Sequence, residues 1–526
     1  MGGPYARGVS ASSQFAEFEG SYIALADAFG ALMVARHRGD DVTTIERTYG
    51  EQRRAIAAAL VDHDGTWLPD EQPMVASIES ALGWMDEWEA VDGLAEVGGP
   101  EVEAADVAEL RRRTFRAFGE AATAVRVGNE VIDRVTTFGR LSTEPDPARR
   151  RAVFEALEPV WRAIDGDGGP SSPYRALVRS SAARWAREGS PIEAAAIALG
   201  MAPGSLEPTL RDMQAAWRDV LGPELVEPWD YRYLVGAMDR RVGRHVTRER
   251  LLPINDAHLR SLGADPEALR ITYDVHPRPG RPPIATAFTI GSKMGRLGDD
   301  GVWQAATPWI FATYATGGLG NLEELLHESG HALHEAAIRA RPALYSPLAE
   351  DGGLAEGLGD LVGWDAHEPA LQRRHLGDAA EVRDSRLGRY GGVMLDVCWA
   401  LFEIVLHRDP TLNPNEVWAE LAEDGLGIVP HPEQASWAVR GQLIDGPGYM
   451  ANYALSAMVA AAVRARIRET RGDWLGDGGD PGWYAFVSDG LLRFGATRPA
   501  REVLTEFLGG PLTARPLLDD LALAAG

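Results

Sequence analysis

The sequence predicts a mainly α protein, a nearly all-helical body of two halves with a small β-sheet set into the second. Three observations predict it. The first 250 residues read as amphipathic stretches rich in Ala, Leu, Arg and Glu, with apolar positions recurring at helical spacing. From about Ile271 the texture changes to short β-branched and aromatic runs, ITYDV, IATAFTI and PWIFATY, separated by Pro and Gly clusters. After Asn321 the helical pattern resumes and continues to the end, and no Pro/Ser/Gly linker separates independent domains. With 526 residues, 45% of them apolar, the chain has enough material to bury a large core.

Helix breaks are expected near Gly98 to Pro100, across the Gly/Ser/Pro stretch Asp165 to Pro173, at Asp409 to Pro414 and in the Gly-rich segment Gly472 to Gly482. No internal repeat or low-complexity tract interrupts this order. Asn321 with Glu324 three residues later reads as a capping box opening the helix that follows. The longest apolar runs, such as Ala454 to Val463, fall short of the ~20 residues that span a bilayer, so a soluble protein is expected.

The chain carries 52 basic and 77 acidic residues, a formal charge of −25. Such a field repels phosphate backbones and anionic membrane surfaces, which argues against nucleic acid and membranes as partners. All basic residues but Lys293 are arginines, which reads as compositional bias rather than function. A lone cysteine, Cys398, excludes an intramolecular disulfide and a cysteine-based metal site, so any metal must be held by His, Asp or Glu. The N-terminus has no apolar signal core, and Ala6 stands where a myristoylation signal wants Ser or Thr. A cytoplasmic location is expected.

The chemistry lies in NLEELLHESGHALH, Asn321 to His334. His327 and His331 stand at i and i+4, which stacks both imidazoles on one helical face, close enough to hold one Zn²⁺ through their neutral nitrogens. Glu328 between them is placed to work on a metal-activated water. A metzincin would continue with Gly and His three and six residues after the second histidine; this chain has His334 and Ala337 there. The gluzincin pattern instead takes its third ligand from a following helix about 25 residues on, with an Asp four residues later steadying one zinc-bound histidine. Glu356 and Asp360 in LAEGLGDLVGW satisfy both requirements, and Gly357, Gly359 and Gly363 would let that helix approach the first. His334 is a rival ligand on the His327 face, read as a neighbouring or packing histidine.

HESGHALH followed by AEGLGD resembles the helical gluzincin zinc peptidases, the group of oligoendopeptidase F, thimet oligopeptidase, angiotensin-converting enzyme and the Taq-type carboxypeptidases. DVHPRPGRPP at Asp274 to Pro283 is similar to a stretch of the oligoendopeptidases, and IATAF at Ile284 to Phe288 resembles the edge strand at the converting-enzyme active site. GYMANYALS at Gly448 to Ser456 is similar to a run of the Taq-type enzymes, and Thr497 to Leu518 is similar to the close of the converting enzymes. The resemblance covers about residues 270 to 526 and implies a deep, narrow cleft with one zinc per chain on its floor. On this reading residues 1–265 form one cleft wall and 266–526 the catalytic half, as one continuous unit.

Zinc held by His327, His331 and Glu356 would keep an open position, and Glu328 would take the water's proton and pass it to the leaving nitrogen. Tyr449 and Tyr453 match the group's tyrosine pair, with Tyr453 expected to donate to the oxyanion and Tyr449 to touch substrate. The resemblance departs at Ile284 and at Leu443 or Ile444, where the converting enzymes carry substrate-binding histidines. Main-chain pairing to Ala285 and Ala287 would replace those contacts. His276 and His431 are the other candidates, though loop histidines are more often merely solvated. A zinc-dependent peptidase for short peptides is the leading expectation. The alternatives are a zinc enzyme acting on a non-standard amide or small molecule, and a metal-binding scaffold without turnover.

Overall fold

In the computed structural model, residues 12–62, 67–92, 105–281, 283–284, 286–298, 300–345, 352–476 and 478–525 are described, and helices dominate them as the sequence predicts. Helix ends fall where local chemistry sets them. Ser12 caps Ser13–Arg38 by accepting from the Phe15 N–H, and Gly39 closes that helix at φ 66, a left-handed turn that glycine adopts without strain. In the Gly/Ser/Pro stretch, Glu158–Asp165 stops and Ser172 caps Pro173–Glu188, whose proline sits in the first turn. The breaks expected at 409–414 and 472–482 are also present, between Val382–Arg408, Pro414–Leu426, Met450–Arg471 and Trp483–Gly490. The break expected near Gly98 to Pro100 lies outside the described residues.

The β-rich segment forms a three-stranded sheet. Its central strand, Pro308–Phe311, runs parallel to Thr272–Asp274 and antiparallel to Phe288–Gly291. Strand alternation divides its two faces between two cores. Phe311 and Ile290 meet the N-terminal helices, where Phe15, Phe18, Phe29 and Met33 form one cluster, while Ile310 belongs to a larger cluster reaching from Phe118 to Ala524. Among the described residues Phe288–Gly291 has one strand neighbour, and its other edge faces the helix that carries His327, Glu328 and His331 (the HEXXH helix). Two short hairpins, Val125–Val127 with Glu130–Ile132 and Arg296–Leu297 with Trp303–Gln304, were not expected.

One expectation is corrected. The HEXXH helix is Leu319–Ala337 and starts two residues ahead of Asn321, from Gly318 at φ 116, so there is no capping box. Asn321 is already inside the first turn, and its amide donates back to the carbonyls of Thr316 and Gly317. Among the described residues, Ser13–Arg38 and Val382–Arg408 are long and apolar enough to cross a membrane, although no uninterrupted apolar run has that length. Val382–Arg408 is largely buried in this fold and carries Arg386, Arg389, Glu403 and Cys398 inside the protein.

Glycines set how closely the helices of the site cross. A Cβ on Gly330 would come within 2.7 Å of the Leu358 carbonyl, and one on Gly359 within 2.7 Å of the His327 ring. Gly363 likewise packs on His327, so these two glycines do what the sequence suggested. Gly357 serves a different neighbour: its hydrogen faces Val459 of Met450–Arg471. Each glycine costs about 1 kcal/mol of helix propensity relative to Ala, which the close crossing offsets.

Candidate metal centre

The HEXXH helix, Gly352–Gly363 and Met450–Arg471 converge on the floor of a cleft of about 1670 Å³ whose walls come from both halves of the sequence. There His327, His331 and Glu356 bring one potential ligand atom each within 4.8 Å of one another. The Nε2 atoms of His327 and His331 are 3.0 Å apart, and Glu356 Oε2 stands 3.3 Å from the first and 3.9 Å from the second. Ligands of a tetrahedral zinc at bond lengths of ~2.0–2.1 Å stand roughly 3.3 Å apart, so the three side chains fit such an ion. Among the described residues this is the one group of three or more His, Cys, Asp or Glu so placed.

The surrounding bonds fix the orientation of each member. His327 Nδ1 lies 2.9 Å from Asp360 Oδ1, and the other oxygen of Asp360 accepts from Ser456 Oγ at 2.8 Å. A carboxylate on Nδ1 leaves Nε2 facing the cluster. Tyr449 donates to Glu356 Oε1 at 2.6 Å, leaving Oε2 turned toward the histidines. Thr289 at the sheet edge donates from Oγ1 to Glu328 Oε2 at 2.7 Å and to the Glu328 carbonyl at 2.9 Å. The edge strand therefore holds the carboxyl next to the cluster.

The electrostatics match a site for a cation. Burial disfavours charge on His327, but Asp360 and Glu356 outweigh it and hold its pKa well above the usual value. Burial, then the charge of His327, lowers His331 to about 3. Glu356 is raised by burial but lowered further by its bond to His327 and by both imidazoles, ending at about 2. A proton on His327 supplies the positive charge these carboxylates demand; a divalent cation would supply more and keep both imidazoles neutral. Burial pushes Glu328 up to about 7, partly opposed by His327 and Thr289.

Tyr449 and Tyr453 also reach the cleft, their ring centroids 5.6 Å apart. Burial and the charge of Glu356 push both phenols well above their usual range, so both remain hydrogen-bond donors. Gln442 Nε2 donates to the Tyr453 oxygen at 3.1 Å, which leaves that phenol's own proton for another acceptor. Glu403, fully buried, accepts from the N–H groups of Gly448 at 2.6 Å and Met450 at 3.1 Å and so fixes the turn carrying Tyr449.

The other candidates are distributed as follows. His334 is buried and borders the cleft but is outside the three-residue cluster. Ala285 lies outside the described residues. Ala287 borders the cleft just ahead of the edge strand and has no strand partner there. Ile284 donates its N–H to Thr313, while Leu443 and Ile444 are buried. His276 is exposed, and His431 is taken up by Glu227 and Glu433. The sequence did not single out Thr289, Ser456, Gln442 or Glu403, although Thr289 and Ser456 lie within the segments IATAFTI and GYMANYALS.

Asp360→Ala is expected to weaken zinc binding by roughly tenfold to a hundredfold, because His327 loses the bond that orients it. A competition titration against a zinc chelator measures this, and an unchanged affinity would detach Asp360 from the centre.

No known family model and no curated protein matches this sequence. The fold does match solved structures. An M32 carboxypeptidase from Deinococcus radiodurans R1 superposes with a TM-score of 0.53 at 15% identity, covering 97% of this chain and 98% of that one. Metallocarboxypeptidase 1 of Trypanosoma cruzi gives 0.54 at 15% identity, with 97% and 98% covered. A candidate oligoendopeptidase F gives 0.55 at 14%, with 97% and 95% covered. The chain has the fold of these helical metallopeptidases along nearly its whole length.

Proposed function

We propose that the chain is a zinc-dependent peptidase hydrolysing short peptides that enter its cleft. One observation carries the reading: three ligand atoms within 4.8 Å of one another on the cleft floor, with the Glu328 carboxyl held beside them by Thr289. The metallopeptidase neighbours support it at the level of fold. His327, His331 and Glu356 would hold one zinc, oriented by Asp360 and Tyr449. Bound there, zinc polarises the scissile carbonyl and makes a water acidic enough to lose its proton near neutral pH.

Glu328 takes that proton as the water attacks and passes it to the departing amine nitrogen. Tyr453, with its oxygen already occupied as acceptor by Gln442, turns its O–H to the carbonyl oxygen as negative charge builds there. Tyr449 contacts the substrate's path while its hydroxyl steadies Glu356. The backbone at Ala287, just ahead of the edge strand Phe288–Gly291, would align the peptide main chain. Residues 1–265 then supply the facing wall to the catalytic half 266–526, and the protein would work in the cytoplasm.

A second reading rests on a specific observation. Ile284, Leu443 and Ile444 bring no polar side chain to the places where the converting enzymes carry histidines, which favours a non-standard amide or small molecule as substrate. Metal analysis with a quenched-peptide library separates the two: the proposal requires about one zinc per chain and peptide cleavage abolished by chelation. Zinc without cleavage of any peptide would favour the second reading.

Tyr453→Phe is expected to lower kcat by about 10²-fold or more with little change in KM, since its bond forms with the developing oxyanion. Tyr449→Phe should raise KM more than it lowers kcat and, by removing the hydroxyl that holds Glu356, should also weaken zinc binding. If neither variant differs from wild type in steady-state kinetics, the pair has no part in the reaction.

A further inference from the structure

Three arginines, Arg134, Arg232 and Arg440, border the same cleft as His327, His331 and Glu356, and the charges of the first two are poorly met. Arg134 opens the helix Arg134–Thr143 and is only 8% exposed. Arg232 lies on Pro228–Val235, and Arg440 precedes the turn to Tyr449; all three border the cleft. Arg134 and Arg232 share one aromatic ring, their guanidinium carbons 5.4 Å and 4.0 Å from the Phe138 centroid. Arg440 stands 5.8 Å from the ring of Tyr453.

Their anionic partners do not balance them. Arg440 pairs with Asp396 at 2.6 Å. Arg134 and Arg232 make no hydrogen bond or ion pair with any described residue, and the buried Nε of Arg134 has no acceptor. The acidic groups that Arg134 feels, Glu324 and Asp133, are out of bonding reach, and Asp133 caps its own helix. Burial and the neighbouring guanidinium groups lower both Arg134 and Arg232 to about 10, so both stay charged near neutral pH.

Arg134 is buried and Arg232 part-buried, an unpaired cation withdrawn from water is costly, and a protein of net charge −25 has ample carboxylates with which to pair them. Leaving two unpaired at the wall of a cleft reserves their donors for something that enters it. Planar guanidinium forks match a carboxylate in two-point geometry. We infer that Arg134 and Arg232, backed by Arg440, form a subsite that binds a carboxylate carried by the substrate. This inference rests on the peptidase reading, since in a peptide the carboxylate is either the C-terminus or an acidic side chain.

The test uses the zinc-loaded full chain and two kinds of probe. Glutarate is titrated into wild type, Arg232→Met and Arg134→Met by calorimetry and thermal melting, with chloride at matched ionic strength as the control. Binding by wild type that both variants lose, or weaken by about tenfold or more, is expected. Met keeps the apolar stem against Phe138, and circular dichroism checks that each variant is folded. Quenched peptides differing only by Gln for Glu, or by C-terminal amide for free acid, then show which carboxylate is read. The preferred acidic peptide should lead in kcat/KM by about tenfold in wild type, and both variants should lose that lead.

Glutarate binding without cleavage of any peptide would keep the arginine subsite and remove the peptidase reading. Peptide cleavage with no acidic preference and no arginine-dependent glutarate binding would remove the subsite and keep the peptidase. Chloride binding as tightly as glutarate would overturn the assignment to carboxylates.

Discussion

Glu328→Gln is expected to lower kcat by about 10²- to 10⁴-fold while zinc stays bound at about one per chain. The range is that of a general base or acid whose proton transfer is removed. The amide is isosteric, still accepts from Thr289 through its oxygen, and belongs to none of the three potential ligands, so the cluster is left intact. What it lacks is the ability to take a proton and return it. Steady-state kinetics on a cleaved peptide, with zinc measured in the same preparation, checks both halves. Turnover near the wild-type rate would assign the base to another group, and loss of zinc would mean that Glu328 helps to hold the metal.

The second large effect is on the metal itself. His331→Ala is expected to weaken zinc binding well beyond the roughly tenfold to hundredfold change that follows loss of an outer partner such as Asp360. Two side chains remain, and a site of two ligands no longer fixes tetrahedral geometry. The fold should persist, because among the described residues His331 makes no bond beyond its imidazole neighbour and Glu356, while the Gly330, Gly359 and Gly363 crossing does not depend on it. Zinc retained by dialysed protein, with circular dichroism as the folding control, reads this out; wild-type zinc content would remove His331 from the ligand set.

The candidate centre was legible in the sequence because helix geometry makes it local. Residues four apart share a face, so His327 with His331 and Glu356 with Asp360 could each be paired without knowing how the helices cross. Two glycines of the second helix also signalled the crossing correctly, whereas Gly357 faces a third helix that no spacing rule identifies. The strands were legible from their β-branched and aromatic runs, and their register follows from burying Phe311 and Ile310 on opposite faces. The capping box failed because the Gly317–Gly318 turn starts the helix before Asn321, an outcome set by backbone freedom rather than side-chain preference.

Residues that meet only through tertiary packing carried no signal. Thr289 reaches Glu328 across the sheet edge, 39 positions away, and Ser456 reaches Asp360 across 96. Glu403 carries no sequence signal, yet it sits fully buried under the turn of Tyr449. Arg134 and Arg232 were indistinguishable from the general arginine bias until the fold placed both beside Phe138 at the cleft without a carboxylate. Charge counts sum over the whole chain, whereas a subsite depends on which few charges are left unmatched.

The central claim is that His327, His331 and Glu356 hold a single zinc. Anomalous diffraction from crystals of the zinc-loaded protein, collected on either side of the zinc absorption edge, tests it most directly. The account predicts one peak per chain, about 2.0–2.1 Å from Nε2 of each histidine and about 2.0–2.2 Å from an oxygen of Glu356. A zinc peak on other residues, or none between these three in crystals grown with zinc, would contradict it.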